Sequence, residues 1–344
     1  MVFTTPVIRA VRRRFPTARL LYLVEQLAAP VVETNPHLSS VITVPYSRGW
    51  RRVRDDLRLA RRLRAERVDL AIDLHGGPRS AWLTWATRAR MRVGYDVPGR
   101  SWMYTHVVHR PRTYQPRHAV ANQWDLLAAV DPQLASPPLR ALDRVEMPVD
   151  GTVAADVLRA LAARGIDRTT RLIVLHVSAG NPFRRWPEES FASVAARLAQ
   201  GDPQRAVLIT AGPSDRDAAA RVIAIARQQA GEAAARIVDA DALSLAALRA
   251  TLEHAALFIG GDSGPLHVAA TSDVPIVAIY GPTLPERSEP WRPETIPTAA
   301  VDAGALPCRP CDQRVCGPGD FRCLSNVPAS AVISAATAML EATR

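Results

Sequence analysis

Apolar positions along this chain follow two alternating rhythms. Short unbroken apolar runs, Leu20-Leu-Tyr-Leu-Val24, Val41-Ile-Thr-Val44 and Asp69-Leu-Ala-Ile-Asp-Leu74, end at turn residues and predict buried strands. Thr5 to Arg14 instead carries helical spacing. After residue 150 the rhythm restarts. Leu172-Ile-Val-Leu-His176, Ala206-Val-Leu-Ile-Thr210, Arg236-Ile-Val238, Leu257-Phe-Ile259 and Pro275 to Tyr280 read as strands, with alanine-rich helices between them. The clearest helices are Glu189 to Ala199, which Pro187 opens at a first-turn position, and Asp215 to Gln229. Strands alternating with helices predict an α/β fold with parallel sheets.

The rhythm breaks between Pro132 and Asp150, where Pro132, Pro137, Pro138 and Pro148 crowd together. Residues 1–150 and 151–328 are therefore expected to form two Rossmann-like domains, since single cores stop growing near about 250–300 residues. Ala329 to Thr343 predicts a last helix, and 329–344 is expected to pack back toward the first domain.

Composition narrows the class. No apolar run reaches the roughly 18 residues that a spanning helix needs, and no signal-peptide core precedes a cleavage site. The expectation is a soluble, cytoplasmic protein. The formal charge is +10, and all 43 basic residues are arginine. Codon bias accounts for the choice of arginine, while the excess itself favours anionic partners such as nucleotide phosphates, a phosphorylated glycolipid or the acidic inner face of a membrane. Nucleic acid is not expected as a partner, because no helix-turn-helix, zinc-finger or RNA-binding signature is present.

The densest chemistry lies in Leu257-Phe-Ile-Gly-Gly-Asp-Ser-Gly-Pro-Leu-His-Val-Ala-Ala270, a strand, a loop and a helix start. Such a turn leaves backbone N–H groups able to hold a phosphate, with Asp262 and His267 adding directed polar groups. Most Gly-rich turns of this kind only close a βα unit. The clustering of Asp262, Ser263, Gly264 and His267 within six residues favours a ligand, as does the second loop Gly281-Pro282-Thr283 at a strand end. Asp215, in Gly212-Pro-Ser-Asp215, is explained more simply as a helix N-cap. Nine arginines lie between Arg48 and Arg67, of which Arg51, Arg54, Arg58 and Arg62 fall near one helical face. A solvated basic face is the default for such a run. Cys308, Cys311, Cys316 and Cys323 form a C-x₂-C-x₄-C-x₆-C cluster that suggests thiolate ligands for structural zinc or iron, although the gap between pairs is short for a zinc ribbon.

Taken together, these residues resemble glycosyltransferase family 9, whose best-known members are the ADP-heptose:lipopolysaccharide heptosyltransferases. Thr4-Thr-Pro-Val-Ile-Arg-Ala10 with Arg14-Phe-Pro16 looks like the family's first helix, and Ser178-Ala-Gly with Arg184-Arg-Trp-Pro187 like its donor-phosphate loop. Gly261-Asp-Ser-Gly-Pro-Leu-His-Val-Ala-Ala270 and Tyr280-Gly-Pro-Thr283 look like its nucleotide-sugar loops. The resemblance implies a GT-B fold with the donor held by the second domain and the acceptor by the first. It also implies inverting transfer without a catalytic metal or other cofactor, from an ADP-heptose donor to a lipopolysaccharide-core or other lipid-linked acceptor. Peripheral contact with the inner membrane would follow.

Residue by residue, Arg184 is implied as the cation facing the leaving diphosphate, where relatives commonly carry lysine. Trp186 is read as structural. Ser178 belongs to the donor loop, Asp262 would hold sugar hydroxyls, and Ser263, Gly264 and His267 would complete the phosphate cradle. Asp215 is implied at the ribose and Leu243 against the base. Arg51, Arg54, Arg58, Arg79 and His118 are implied acceptor contacts. The cysteines look like a structural knuckle.

One element of the family pattern is not matched. The family opens with a buried strand and a Gly-Asp turn whose aspartate is the general base, and here Met1 stands at the next position. The resemblance thus implies a base just before Met1 and a reading frame begun at an internal methionine, with a sheet lacking a central strand. Asp73 and His75 are the substitutes worth naming. The rival reading is a nucleotide-sugar-binding protein without transfer activity. An epimerase of similar build would need a Gly-x-Gly-x-x-Gly turn near the start, and none is present.

Overall fold

The computed structural model describes residues 1–109, 116–178, 181–311 and 313–342. The chain divides into two compact units, Met1–Asp143 and Arg144–Arg344, so the boundary falls a few residues before the expected one.

The first unit begins with α1 (Thr5–Arg14), whose Val7, Ile8, Ala10 and Val11 are buried. Arg12 folds back to donate to the carbonyls of Pro16, Ala18 and His37, closing the C-terminal end of the helix. Then follow β1 (Leu21–Glu25), β2 (Ser40–Val44), α2 (Gly49–Ala65), β3 (Leu70–Ile72), α3 (Pro78–Ala86), β4 (Met91–Tyr95), β5 (His106–Val108) and α4 (Ala119–Val130). These strands form two parallel sheets, β1–β2 and β3–β4–β5. Among the described residues no strand is hydrogen-bonded between β1 and β3. The strands β4 and β5 were not expected from the sequence: Arg92 and Gly94 interrupt the first, and the second is only three residues long.

The second unit holds α5 (Gly151–Ala162), β6 (Arg171–Val177), α6 (Glu188–Gln200), β7 (Arg205–Ala211), α7 (Arg216–Ala230), β8 (Ile237–Asp239), α8 (Leu245–Leu252), β9 (Ala255–Gly261), α9 (Gly264–Ala269), β10 (Ile276–Tyr280), α10 (Pro285–Ser288), β11 (Thr298–Asp302), α11 (Arg322–Ser325) and α12 (Ala329–Ala342). Its strands make one parallel sheet in the order β11-β10-β9-β6-β7-β8. Helices cover both faces, which is why the strands are apolar throughout instead of alternating. Ile173, Leu175 and Val177 face the same core as Ile209, Ile259 and Ile279, against α6, α7 and α12. On the other face α8 and α9 pack against β9, and α5 against α8. Each such buried aliphatic side chain contributes about 1.5–3 kcal/mol.

The last helix corrects an expectation. Val332, Ala336 and Leu340 of α12 join the core of the second unit, and Arg171 of β6 donates to the Leu340 carbonyl. Its apolar stripe was visible in the sequence, but periodicity does not specify which unit the stripe meets. Thr343 lies outside the described residues.

Candidate active site

In the second unit the strand order reverses between β6 and β9: successive strands run one way to β8 and the other way to β11. Two loops therefore diverge at the C-terminal ends of neighbouring strands, which is where open α/β sheets hold ligands. The β6 end carries Ser178, and the β9 end carries Asp262, Ser263 and Gly264. The Ser178 and Ser263 hydroxyls meet at 3.4 Å, joining the two loops. Ala179 and Gly180 of the expected donor loop lie outside the described residues.

Asp262 is the centre of this arrangement and is 7% exposed. Arg184, in a short 3₁₀ turn after β6, donates from Nη1 to the Asp262 carbonyl oxygen, and the same nitrogen stands 4.0 Å from Oδ2. His267 Nε2 lies 3.7 Å from the other carboxylate oxygen. Burial, aided by the Arg184 charge, lowers the His267 pKa from 6.5 to about 3, so the imidazole is neutral at ordinary pH. Arg184, one-third exposed, is thus the cation of this cluster, and His267 stands beside it without charge. Ser263 takes the N-cap position of α9 with no side-chain cap bond, and a Cβ on Gly264 would meet nothing within 4 Å. The expected cradle is thus unobstructed.

Arg184, Asp262 and the Gly281-Pro282-Thr283 loop after β10 line one small cleft, with Phe183 and Leu324 on its walls. Glycine is required at 281, because a Cβ there would lie 2.6 Å from Leu324 Cγ. Sequence reading did not anticipate Phe183 or Leu324, whose only signal was their apolarity. Trp186 is structural as expected: it is buried, donates to the Val327 carbonyl at 3.0 Å and meets Phe191 edge-on.

Asp215 and Leu243 are half-buried beyond β7 and β8. Asp215 holds the N-cap position of α7, yet its side chain makes no cap bond there, and it accepts instead from the Ser214 hydroxyl at 3.1 Å. Capping does not explain this residue. Pro187 likewise stands at the N-cap of α6, one position before the expected first turn.

The cysteine segment is tied to the cleft by one backbone and two side-chain donors. Cys311 N–H donates to the Pro282 carbonyl at 3.3 Å, Arg309 donates to the Thr283 carbonyl at 3.1 Å, and Gln313 to the Thr283 hydroxyl at 3.2 Å. All four cysteines are free. Burial and the other three thiols raise the Cys323 pKa, which places the four near one another but disfavours thiolate formation. Among the described residues no group of three or more His, Cys, Asp or Glu side chains is arranged to hold a metal, so the geometry gives no support to zinc or iron there. The segment instead straps the Gly281-Pro282-Thr283 loop.

In the first unit the predicted acceptor contacts divide. Arg51, Arg54 and Arg58 lie exposed on α2. Arg79 is instead held by Asp56, its Nε donating at 2.9 Å, so that it links α3 to α2. His118 is 6% exposed, accepts the Val120 N–H at 3.1 Å as the N-cap of α4, and packs edge-on against Phe3. These bonds tie Arg79 and His118 to neighbouring residues of the first unit. Asp73, named as a substitute base, is 3% exposed and accepts from four donors: the His75 and Gly76 N–H groups, the Ser80 hydroxyl and the Tyr104 hydroxyl. With both oxygens engaged it organises the turn after β3. His75 is exposed on that turn, its ring folded over Gly77.

Comparison with known proteins agrees with this geometry. The family model described as glycosyltransferase family 9 (heptosyltransferase) matches residues 56–317. Lipopolysaccharide heptosyltransferase 3 of Escherichia coli is 27% identical over 99% of this chain and 96% of its own length. Lipopolysaccharide heptosyltransferase 1 of Pseudomonas aeruginosa is 26% identical over 92% of this chain and 84% of its own. A family 9 glycosyl transferase structure from Veillonella parvula superposes with a TM-score of 0.81 at 22% identity, covering 99% of this chain and 93% of that one. The E. coli ADP-heptose lps heptosyltransferase II does so with 0.76 at 19%, covering 100% and 96%.

Proposed function

The chain belongs to glycosyltransferase family 9 and is a glycosyltransferase of the GT-B class, and from that premise we propose that it moves heptose from an ADP-heptose donor onto a lipopolysaccharide-core or related lipid-linked acceptor, with inversion and without a catalytic metal. The observation that carries this reading is the convergence of Arg184 on the Asp262 loop at the sheet's switch point. In such a transfer an acceptor hydroxyl attacks the anomeric carbon, the bond to the diphosphate breaks, and negative charge develops on the leaving oxygen. Arg184 meets that charge with a planar donor fork already oriented by the Asp262 carbonyl. Ser178, Ser263 and the backbone at Gly264 hold the phosphates. The Asp262 carboxylate and neutral His267 bind sugar hydroxyls, Asp215 the ribose and Leu243 the base.

On the acceptor side, exposed Arg51, Arg54 and Arg58 suit an acidic or phosphorylated saccharide. The relatives named as heptosyltransferases, and the E. coli heptosyltransferase WaaC solved with ADP, support the choice of donor.

The test is ADP release from ADP-heptose with a lipid A–core acceptor, with and without EDTA, followed by the anomeric configuration of the product. Acceptor-dependent release that survives EDTA, giving inverted product, is expected. Donor binding without release would sink the transfer, release abolished by EDTA the metal-independence, and retention the stereochemistry.

A further inference from the structure

The segment between β11 and α12 carries all four cysteines of the chain, and both of its ends close on one loop of the donor cleft. At the first end the Arg309 side chain, 3% exposed, pairs with Asp302 at 2.9 Å and donates to the Gly304 and Thr283 carbonyls. Cys311 N–H then donates to the Pro282 carbonyl. At the second end Leu324 of α11 fills the space over Gly281, and Cys323, buried, precedes it. Cys311 and Cys323 are thus attached to adjacent residues of the same loop, Pro282 and Gly281.

Between these ends the chain turns back. The Cys316 carbonyl accepts the Gly319 N–H at 3.1 Å, with Gly319 at a left-handed φ of +81°. Arg322 is joined to Asp320 at 2.8 Å; that carboxylate raises its pKa first, and Cys308 and Cys316 add to the effect, so both thiols lie near the guanidinium. Burial raises the Cys323 pKa, and the other three thiols raise it further through their charge, an influence that water and salt confine to about 10 Å. Cys308, Cys311 and Cys316 are half-buried, so three thiols within reach of small solutes stand close to one that is sheltered.

We propose that these thiols form an oxidation switch on the donor cleft: peroxide oxidises one of the three accessible cysteines, Cys323 captures it as a disulfide, and donor binding is lost until the bridge is reduced. In the first step a thiolate attacks one peroxide oxygen, the O–O bond breaks, and a sulfenic acid forms as hydroxide leaves and takes up a proton. The Cys323 sulfur then displaces the hydroxyl group as water and the S–S bond forms. In sum two thiols give up two electrons and two protons, and one hydrogen peroxide becomes two waters. Access sets the order, since Cys323 is the one that peroxide reaches least.

The cleft responds because its wall has no slack. A disulfide holds its two Cβ atoms about 3.5–4.5 Å apart, so a bridge from Cys323 draws the short helix α11 toward the rest of the segment. Leu324 moves with it, out of a fit so close that a Cβ on Gly281 would lie 2.6 Å from its Cγ. Arg184 and Asp262 line the same cleft as Leu324, Gly281 and Pro282. The effect on the donor rests on the donor site proposed above, whereas the bridge itself is read without any nucleotide.

The full chain, reduced and then freed of reductant, is treated with a small excess of hydrogen peroxide. Thiol titration should show the loss of two thiols, intact mass the loss of two hydrogens, and peptide mapping a bridge that includes Cys323. ADP affinity by calorimetry should fall at least about tenfold and return with dithiothreitol. Cys323→Ala should bind ADP as the reduced parent does and keep that affinity in peroxide. Should this buried substitution unfold the chain, the combined Cys308→Ser, Cys311→Ser and Cys316→Ser variant removes every partner and should behave the same way. The proposal is overturned if all four thiols survive peroxide, if the bridge omits Cys323, or if the bridged chain binds ADP like the reduced one. Stoichiometric zinc or iron in the purified chain, with thiols that peroxide does not reach, overturns it as well. A reduced chain that binds no ADP sinks the donor site and the switch together, whereas unchanged binding after bridging sinks the switch alone.

Discussion

Two cation-capable side chains approach Asp262, and their chemistry separates their roles. Arg184 brings a guanidinium fork, whereas the His267 imidazole, with its pKa lowered to about 3, carries no charge in the working range. Replacing Arg184 by alanine should therefore lower kcat/KM by about 10²–10³, the range seen when one preorganised donor to a developing anion is removed. Arg184→Lys should recover part of the loss, because lysine restores charge without the fork; steady-state ADP release measures both. His176 in β6 is also buried and neutral, its pKa lowered by burial to about 4, and it is bonded to the Thr210 hydroxyl at 2.9 Å. In the unfolded chain both imidazoles take up protons near pH 6.5. Between that value and about 4 the unfolded state binds more protons than the folded one, so stability falls as pH drops, by roughly 1.4 kcal/mol per unit for each histidine. Urea denaturation of His176→Gln at pH 7 and pH 5 should show a flatter slope than the parent, whatever its absolute stability.

At the scale of elements, the first unit depends on a polar clamp. Tyr104 sends its hydroxyl to Asp73 at 2.7 Å, and its ring lies where a Cβ on Gly94 of β4 would come within 2.3 Å. The backbone must be bare at Gly94 for the ring to cross the strand and reach the carboxylate. Gly94→Ala should displace Tyr104, leave Asp73 with one donor fewer and cost about 1–3 kcal/mol, read as a lower melting temperature. Donor affinity should hardly change, since the proposed donor residues lie in the other unit. Periodicity found the strand bearing Asp73 and the Gly76-Gly77 turn. It did not find β4, because Gly94 and Arg92 disguise a strand as a loop, and the clamp that requires the glycine is a tertiary contact.

For the molecule as a whole, the two units differ in how they are held. The second has one continuous six-stranded sheet covered on both faces, while the first has two short sheets and smaller apolar clusters. All proposed donor contacts fall between Ser178 and His267, in the unit that carries the complete sheet. The segment from Arg144 onward should therefore fold by itself and bind ADP, and calorimetry should show that binding weakened by Arg184→Ala. A cooperative melt without ADP binding would mean that the first unit completes the donor site. No helix among the described residues is long and apolar enough to cross a membrane.

The sequence by itself determined the α/β rhythm, most strands of the second unit and the Gly261-to-Ala270 loop, because these rest on interactions between residues close along the chain. Apolar runs, turn glycines and first-turn prolines act locally. Only the tertiary structure decided that α12 joins the second unit, that Arg79 is bonded to Asp56, and that Asp73 is bonded to Tyr104 across β4. For α12, Arg79 and the Asp73–Tyr104 bond the deciding partner stands far along the sequence or on another element, so the same residue types in the same local pattern are compatible with other arrangements. An exposed apolar stripe on α2 has the same origin. Its spacing is that of an ordinary core face, and only the packing of Leu59 and Leu63 shows that Trp50, Val53 and Leu57 were left outside.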